Sequence, residues 1–148
     1  MNAGMLKLEN IQILDRVNDW KEAVAVSVKP LVEGNYVEQR YVDGIIQNTL
    51  EMGPYYIIAD GVALLHGRPE QGVKHQQIGV TVMRQEVTFV NEDAKARLLI
   101  VLAAENADSH IDAMRELAEI LMDEEKVQKI IEAPGPEDVW KLFLQEHQ

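Results

Sequence analysis

The chain has 148 residues, no cysteine and a formal net charge of −11, with 14 Lys and Arg against 25 Asp and Glu. That length fits one domain with a full core, and the missing thiols exclude a disulfide framework, a thiolate metal site and thiol catalysis by this chain. The acidic balance repels nucleic acid and anionic lipid, and the longest apolar run, Leu98 to Ala104, is far short of the about 20 residues of a membrane helix.

Taken in chain order, Ile11 to Leu14 reads as a short strand. Asn18 then serves as N-cap of a helix through Trp20, Ala23, Val24, Val28 and Leu31 that closes before Gly34, with Pro30 disturbing its last turns. A second helix is expected from about Val37 to Met52, where Val42, Ile45, Ile46 and Leu50 share a face and Gly53-Pro54 stops it. Tyr55 to Ala59 and Val62 to Leu65 read as strands around Asp60-Gly61, and Ile78 to Met83 with Val87 to Val90 as a hairpin pair. Leu98 to Ala104 is apolar enough for a central strand covered on both faces. Helices follow at about Ile111 to Met122, Asp123 to Ile131 and Glu137 to Gln145. With no repeat and no long linker, residues 1–148 are expected to form a single α/β domain, a mixed parallel and antiparallel sheet flanked by helices on both faces.

The chemistry concentrates where the apolar run Gly61-Val62-Ala63-Leu64-Leu65 stops on His66 and turns on Gly67-Arg68-Pro69-Glu70. An imidazole at a strand end offers a nucleophilic nitrogen near neutral pH, and the planar fork of Arg68 matches phosphate oxygens. A second histidine sits in Glu105-Asn106-Ala107-Asp108-Ser109-His110-Ile111-Asp112. There Ser109 and Asp112 match a capping box, which puts His110 in a first helical turn beside free backbone N–H groups. A neutral His110 could hydrogen-bond a phosphoryl group on a neighbour. The plainer alternatives are a strand-capping His66, a run of caps around His110, and a solvated Arg68 or one paired with Glu70. The four histidines form no helical i, i+4 pair, so no metal is expected, and without a P-loop glycine pattern no cofactor is implied.

The segments Gly53-Pro54-Tyr55, GVALLHGRPEQGV (61–73) and ENADSHIDAMREL (105–117) resemble the enzyme IIA proteins of the bacterial sugar phosphotransferase system, in the mannitol/fructose superfamily. The Gly-Pro-Tyr element, the Arg-Pro-Glu after the histidine and Gly72-Val73 look most like the ascorbate-type branch. The resemblance implies that His66 accepts a phosphoryl group from the carrier protein HPr and passes it to a cysteine of an enzyme IIB, with His110 steadying the phosphoryl oxygens. It further implies a cytoplasmic protein that meets the membrane only through IIB and an enzyme IIC. Leu65 stands where the family usually has proline, and the mannitol-type helix arginine has no counterpart in Gln47-Asn48-Thr49-Leu50-Glu51. Arg68 is the candidate substitute, Arg40 a more distant one, and Arg115, His75 and His147 read as surface residues. Two other functions remain open: a regulatory phospho-acceptor of the same fold, and a small-molecule binding or hydrolytic domain using His66 with Asp60 or Glu70.

Overall fold

The structure, a computed structural model, describes residues 1–144. Gln145, expected to end the last helix, and His147 lie outside the described residues. The elements run β1 (Ile11–Leu14), α1 (Trp20–Glu33), α2 (Arg40–Met52), β2 (Ile57–Ala59), β3 (Gly61–Leu65), β4 (Gln77–Thr88), β5 (Lys95–Ala103), α3 (Ala107–Leu121), α4 (Glu124–Glu132) and α5 (Pro136–Leu144). The five strands form one sheet in the order β1-β4-β5-β3-β2. β1 runs parallel to β4 and β3 parallel to β5, while the β4–β5 and β2–β3 pairs are antiparallel.

The period-2 geometry of a strand explains the two cores. In β5, Leu98, Ile100 and Leu102 point to one face and pack with Leu117, Ile130 and Phe143 of α3, α4 and α5. The alternate residues Leu99, Val101 and Ala103 meet Val24, Val28 and Leu31 of α1 and Tyr41 and Ile45 of α2 on the other face. All six of these β5 side chains are fully buried, each Leu or Ile worth about 1.5–3 kcal/mol of transfer free energy. The expected mixed sheet between two helical layers is therefore present as one α/β domain.

Pro30 lies inside α1 without ending it. Proline has no N–H, so the carbonyl four residues earlier, Val26, loses its helical partner. The Gln12 side chain supplies one: its Nε2 donates to Val26 O at 2.7 Å and to Thr81 Oγ1 at 3.0 Å. Gln12 and Thr81 are register partners in β1 and β4, so one amide joins two strands to the helix above them.

Several local expectations change. Ile78 to Met83 and Val87-Thr88 belong to a single strand, β4, whose pairing with β5 shifts register between Val82 and Val87, while Phe89 and Val90 lie beyond its end. The polar Arg84-Gln85-Glu86 is therefore no turn. Arg84 donates to Ile131 O at 3.1 Å and Ala133 O at 2.8 Å beyond the sheet, and Gln85 N–H donates to Asp15 O at 2.9 Å. The hairpin turn falls later, where Phe89 N–H donates to Ala94 O at 2.7 Å. The N-cap of α1 is Asp19, which accepts Glu22 N–H at 2.8 Å, rather than Asn18. α2 begins at Arg40, because Val37 is drawn into a bridge with Val73. β2 begins only at Ile57, after Tyr55 N–H closes a tight turn on Gly53 O at 2.8 Å.

Candidate active site

Because β3 and β5 are parallel neighbours, their C-terminal ends open at the same edge of the sheet, where ligands of α/β proteins gather. β3 ends at Leu65 and delivers His66; β5 ends at Ala103 and leads into the first turn of α3, which carries His110. The two imidazole centroids are 5.3 Å apart. Around them lies a cleft of about 440 Å³, walled by Asn48 and Met52 of α2, Tyr55, the segment His66 to Pro69, and Ala104, Asn106 and Ala107.

His66 is half-buried, and its Nδ1 lies 2.6 Å from Leu64 O. A carbonyl can only accept, so Nδ1 carries the hydrogen and the neutral ring keeps its lone pair on Nε2. Burial lowers the pKa of this imidazole below its ordinary value; the Leu64 carbonyl opposes that shift and nearby His110 adds to it. Burial and His110 favour the neutral ring with a free lone pair on Nε2, the form a nucleophile requires.

The N-cap of α3 is Asn106, not Ser109. Asn106 Oδ1 accepts Ser109 N–H at 2.9 Å while Asn106 N–H donates to Ser109 Oγ at 3.2 Å, so Ser109 is the return partner of the capping box. His110 still falls in the first turn, but its own N–H is already donated to Asn106 O at 3.1 Å. What His110 offers the cleft is its ring.

Arg68 lines the cleft, is 58% exposed at its side chain, and holds Glu70 at 3.3 Å. Such a pair is worth no more than about 1 kcal/mol in water, so the guanidinium exchanges partners readily. Arg40 is engaged elsewhere, with Glu38 at 2.6 Å and Glu70 O at 2.9 Å. Arg115 is a surface charge 3.8 Å from Asp112, and His75 is exposed. Among the described residues no three His, Cys, Asp or Glu side chains are placed to hold a metal, and no helix is long and apolar enough to cross a membrane.

Four residues at the site were given no role there from the sequence, although Tyr55 belongs to the Gly-Pro-Tyr element. Gln71 Oε1 accepts Arg68 N–H at 2.7 Å and Asn48 Nδ2 at 2.9 Å, while Gln71 Nε2 donates to Asn48 Oδ1 at 3.0 Å. This reciprocal amide pair fastens the loop after His66 to α2. Tyr55 donates its hydroxyl hydrogen to His66 O, and its ring stands edge-on to the imidazole at 5.2 Å between centroids. The buried hydroxyl of Tyr41 accepts Gly67 N–H and donates to Leu102 O, both at 2.8 Å. Gly67 leaves the room for this: a Cβ there would stand 2.8 Å from Gln71 Oε1 and 3.2 Å from Tyr41 Cε1.

Fold and site together define an α/β domain with a paired-histidine cleft at the ends of parallel strands. Residues 4–146 match the family described as "Phosphoenolpyruvate-dependent sugar phosphotransferase system, EIIA 2", and the chain belongs to it, as a phosphoryl-carrying enzyme IIA component. It is similar to the mannitol-specific cryptic phosphotransferase enzyme IIA component of Escherichia coli (39% identical over 124 residues, 84% of each chain). A solution structure of the mannitol-specific cryptic enzyme IIA from that organism superposes with a TM-score of 0.89 at 34% identity, covering 95% of this chain and 96% of that one. The ascorbate-specific EIIA component of E. coli is 32% identical over 137 residues, 91% of this chain and 89% of its own. The mannitol enzyme IIA of E. coli, solved in complex with phosphorylated enzyme IIB, superposes with a TM-score of 0.79 at 28% identity over 93% of this chain and 97% of that one.

Proposed function

We propose that His66 is the phosphoryl acceptor of this enzyme IIA, with Nε2 as the reacting atom. The observation that carries the reading is the Nδ1–H···O bond to Leu64 at 2.6 Å in a ring that also lines the cleft. Phospho-HPr is the donor. The Nε2 lone pair forms the new N–P bond as the old one breaks, and the electron pair of the old bond returns to the donor. The phosphorylated ring then carries positive character that the Leu64 carbonyl, still accepting from Nδ1–H, offsets. In the second step a cysteine thiolate of enzyme IIB attacks phosphorus, an S–P bond forms, and the pair of the broken N–P bond restores the neutral imidazole. Little covalent help is needed, so the protein acts by positioning and by charge.

His110 serves as a helper whose ring donates to the phosphoryl oxygens. Arg68 supplies the mobile cation, leaving Glu70 for the phosphoryl group as negative charge arrives. The E. coli mannitol IIA structure with phosphorylated IIB supports an enzyme IIB as acceptor. The protein works in the cytoplasm and meets a membrane enzyme IIC only through IIB. For the transported sugar, the ascorbate-type motif after His66 favours an ascorbate-like substrate; the mannitol-specific cryptic relative makes mannitol the competing assignment.

The test is incubation with enzyme I, HPr and phosphoenolpyruvate, followed by mass analysis for acid-labile phosphate. His66→Ala should fold and take up no label, and His110→Ala should be labelled slowly on His66. Labelling of His66→Ala at the parental level would remove the assignment. Adding IIB of the ascorbate and mannitol systems in turn, and recording which one discharges the protein, tests the sugar.

A further inference from the structure

The peptide unit between His66 and Gly67 is gripped at both of its polar atoms by tyrosine hydroxyls. Tyr55 donates to its carbonyl oxygen, and its N–H donates to Tyr41, which passes its own hydrogen to Leu102 O at 2.8 Å. The result is one directional chain of hydrogen bonds: Tyr55 O–H to His66 C=O, Gly67 N–H to the Tyr41 oxygen, Tyr41 O–H to Leu102 C=O. Its members come from the segment entering β2, the exit of β3, α2 and the end of β5. Bonds in such a chain polarise one another, and the Tyr41 end is buried while the Tyr55 end borders the cleft.

With β3 held through Leu65 by its pairing with β5 upstream and this peptide plane held downstream, the His66 Cα is anchored on both sides, which fixes the direction in which the Cα–Cβ bond aims the ring. The Nδ1 contact to Leu64 is a bond to the strand's own backbone two residues back, so it depends on the φ angle and side-chain torsions of His66, which anchoring on both sides of its Cα restricts. Each end of the chain also reaches one of the cleft's two strands: Leu102 lies near the end of β5, which leads to His110, and His66 follows β3. We propose that Tyr41 and Tyr55 act as one two-sided clamp, a pair of positioning residues that fix the tautomer and aim of the His66 imidazole relative to His110. The clamp rests on the assignment of His66 as acceptor only for its effect on rate; its effect on the ring stands by itself.

The alternatives are that each tyrosine merely satisfies a local carbonyl or packs the core. These differ in coupling, since a clamp needs both sides and two independent contacts do not. The experiment uses the full chain with Tyr41→Phe, Tyr55→Phe and the double variant, each verified as folded by circular dichroism. Two readouts are taken. The first is the pair of ring ¹⁵N shifts of His66 in the unphosphorylated protein, which report which nitrogen holds the hydrogen. The second is the single-turnover rate of labelling from phospho-HPr.

Either single variant should shift the ring signals away from the pure Nδ1–H form and slow labelling by about 10-fold, within the range expected when a reacting group is misaimed by a fraction of an ångström to an ångström. The double variant should be no slower than the slower single one. Unchanged ring signals in folded single variants, or a double variant whose loss is the product of the two, would overturn the clamp. If Tyr41→Phe does not fold, Tyr55→Phe decides alone, by the same signals and rate. Parental labelling of His66→Ala would instead overturn the acceptor assignment and leave the ring readout to judge the clamp.

Discussion

Replacing Gly67 by alanine perturbs the active-site loop at its tightest point. The backbone there does not need a left-handed conformation, so the cost comes wholly from space. The new Cβ would stand 2.8 Å from Gln71 Oε1, closer than real Cβ contacts occur, and 3.2 Å from Tyr41 Cε1. Gln71 is flexible and could retreat, but its Oε1 holds Arg68 N–H at 2.7 Å and Asn48 Nδ2 at 2.9 Å. Retreat therefore forfeits two hydrogen bonds, each worth about 0.5–1.5 kcal/mol net. Tyr41 cannot retreat, being fully buried and bonded to Leu102 O, and crowding a packed ring adds about 1 kcal/mol or more. The sum is about 2–4 kcal/mol, which at about 2–4 °C per kcal/mol for a domain of this size lowers the melting temperature by about 4–16 °C. Thermal and urea unfolding measure it, with Gly53→Ala as the contrast: Gly53 has φ +79° and ψ −175° but nothing within 4 Å of its absent Cβ, so that variant costs about 1–3 kcal/mol through backbone strain alone, with no hydrogen bond lost. A Gly67→Ala protein within 0.5 kcal/mol of the parent, by the ordinary scale of surface changes, would refute the close-approach argument.

Gln12→Ala should destabilise by about 1–3 kcal/mol, the cost of leaving Val26 O unpaired; in a Pro30→Ala background, where a new N–H can serve that carbonyl, the loss should shrink, and an equal loss in both backgrounds would count against the pairing. Burial holds the His66 pKa below its ordinary value of about 6.5, so the unfolded chain takes up a proton first as pH falls. The stability linked to this ring is full above pH about 6.5 and is lost as pH drops through the lower folded value; an NMR titration of the imidazole with a midpoint at or above 6.5 would contradict this. Arg68→Ala should slow phosphoryl transfer by about 10- to 1,000-fold, and Arg68→Lys should recover only part, since lysine brings charge without the fork. Equal single-turnover rates for parent and Arg68→Ala would reduce Arg68 to a loop residue paired with Glu70.

How much of this was legible depends on whether a residue's role is announced by its neighbours in sequence. The end of β3 was, because an apolar run that breaks on His66-Gly67 can only be a strand leaving the core. The apolar Leu98 to Ala104 likewise had to be central. β4 was misread because Arg84-Gln85-Glu86 looks like a turn until the carbonyls of Ile131 and Ala133, more than forty residues away, are seen to take the guanidinium. The caps shifted by one residue or one role because Asn18-Asp19 and Asn106-Ser109 each offer two competent side chains, and only backbone geometry chooses between them. Tyr55 and Gln71 stood inside the quoted motifs but drew no role there, and Tyr41 and Asn48 carried no signal of their own. None titrates near neutrality, and their partners lie up to 61 residues distant in the chain. Arg68 was found for its chemistry, while its pairing with Glu70 is a matter of loop shape.

The sheet order also bears on how the chain survives its own synthesis. The stretch from Leu98 to Ala104 has no charge and no proline, the composition that stacks into fibrils when left open. In the finished sheet β5 is enclosed by β4 and β3, and the strands left at the two borders are short, four residues in β1 and three in β2. All four other strands precede β5 in the chain. A ribosome therefore releases the sticky segment last among the strands, when both of its permanent neighbours already exist to receive it. The same segment placed first would have waited, unpaired, for partners not yet made.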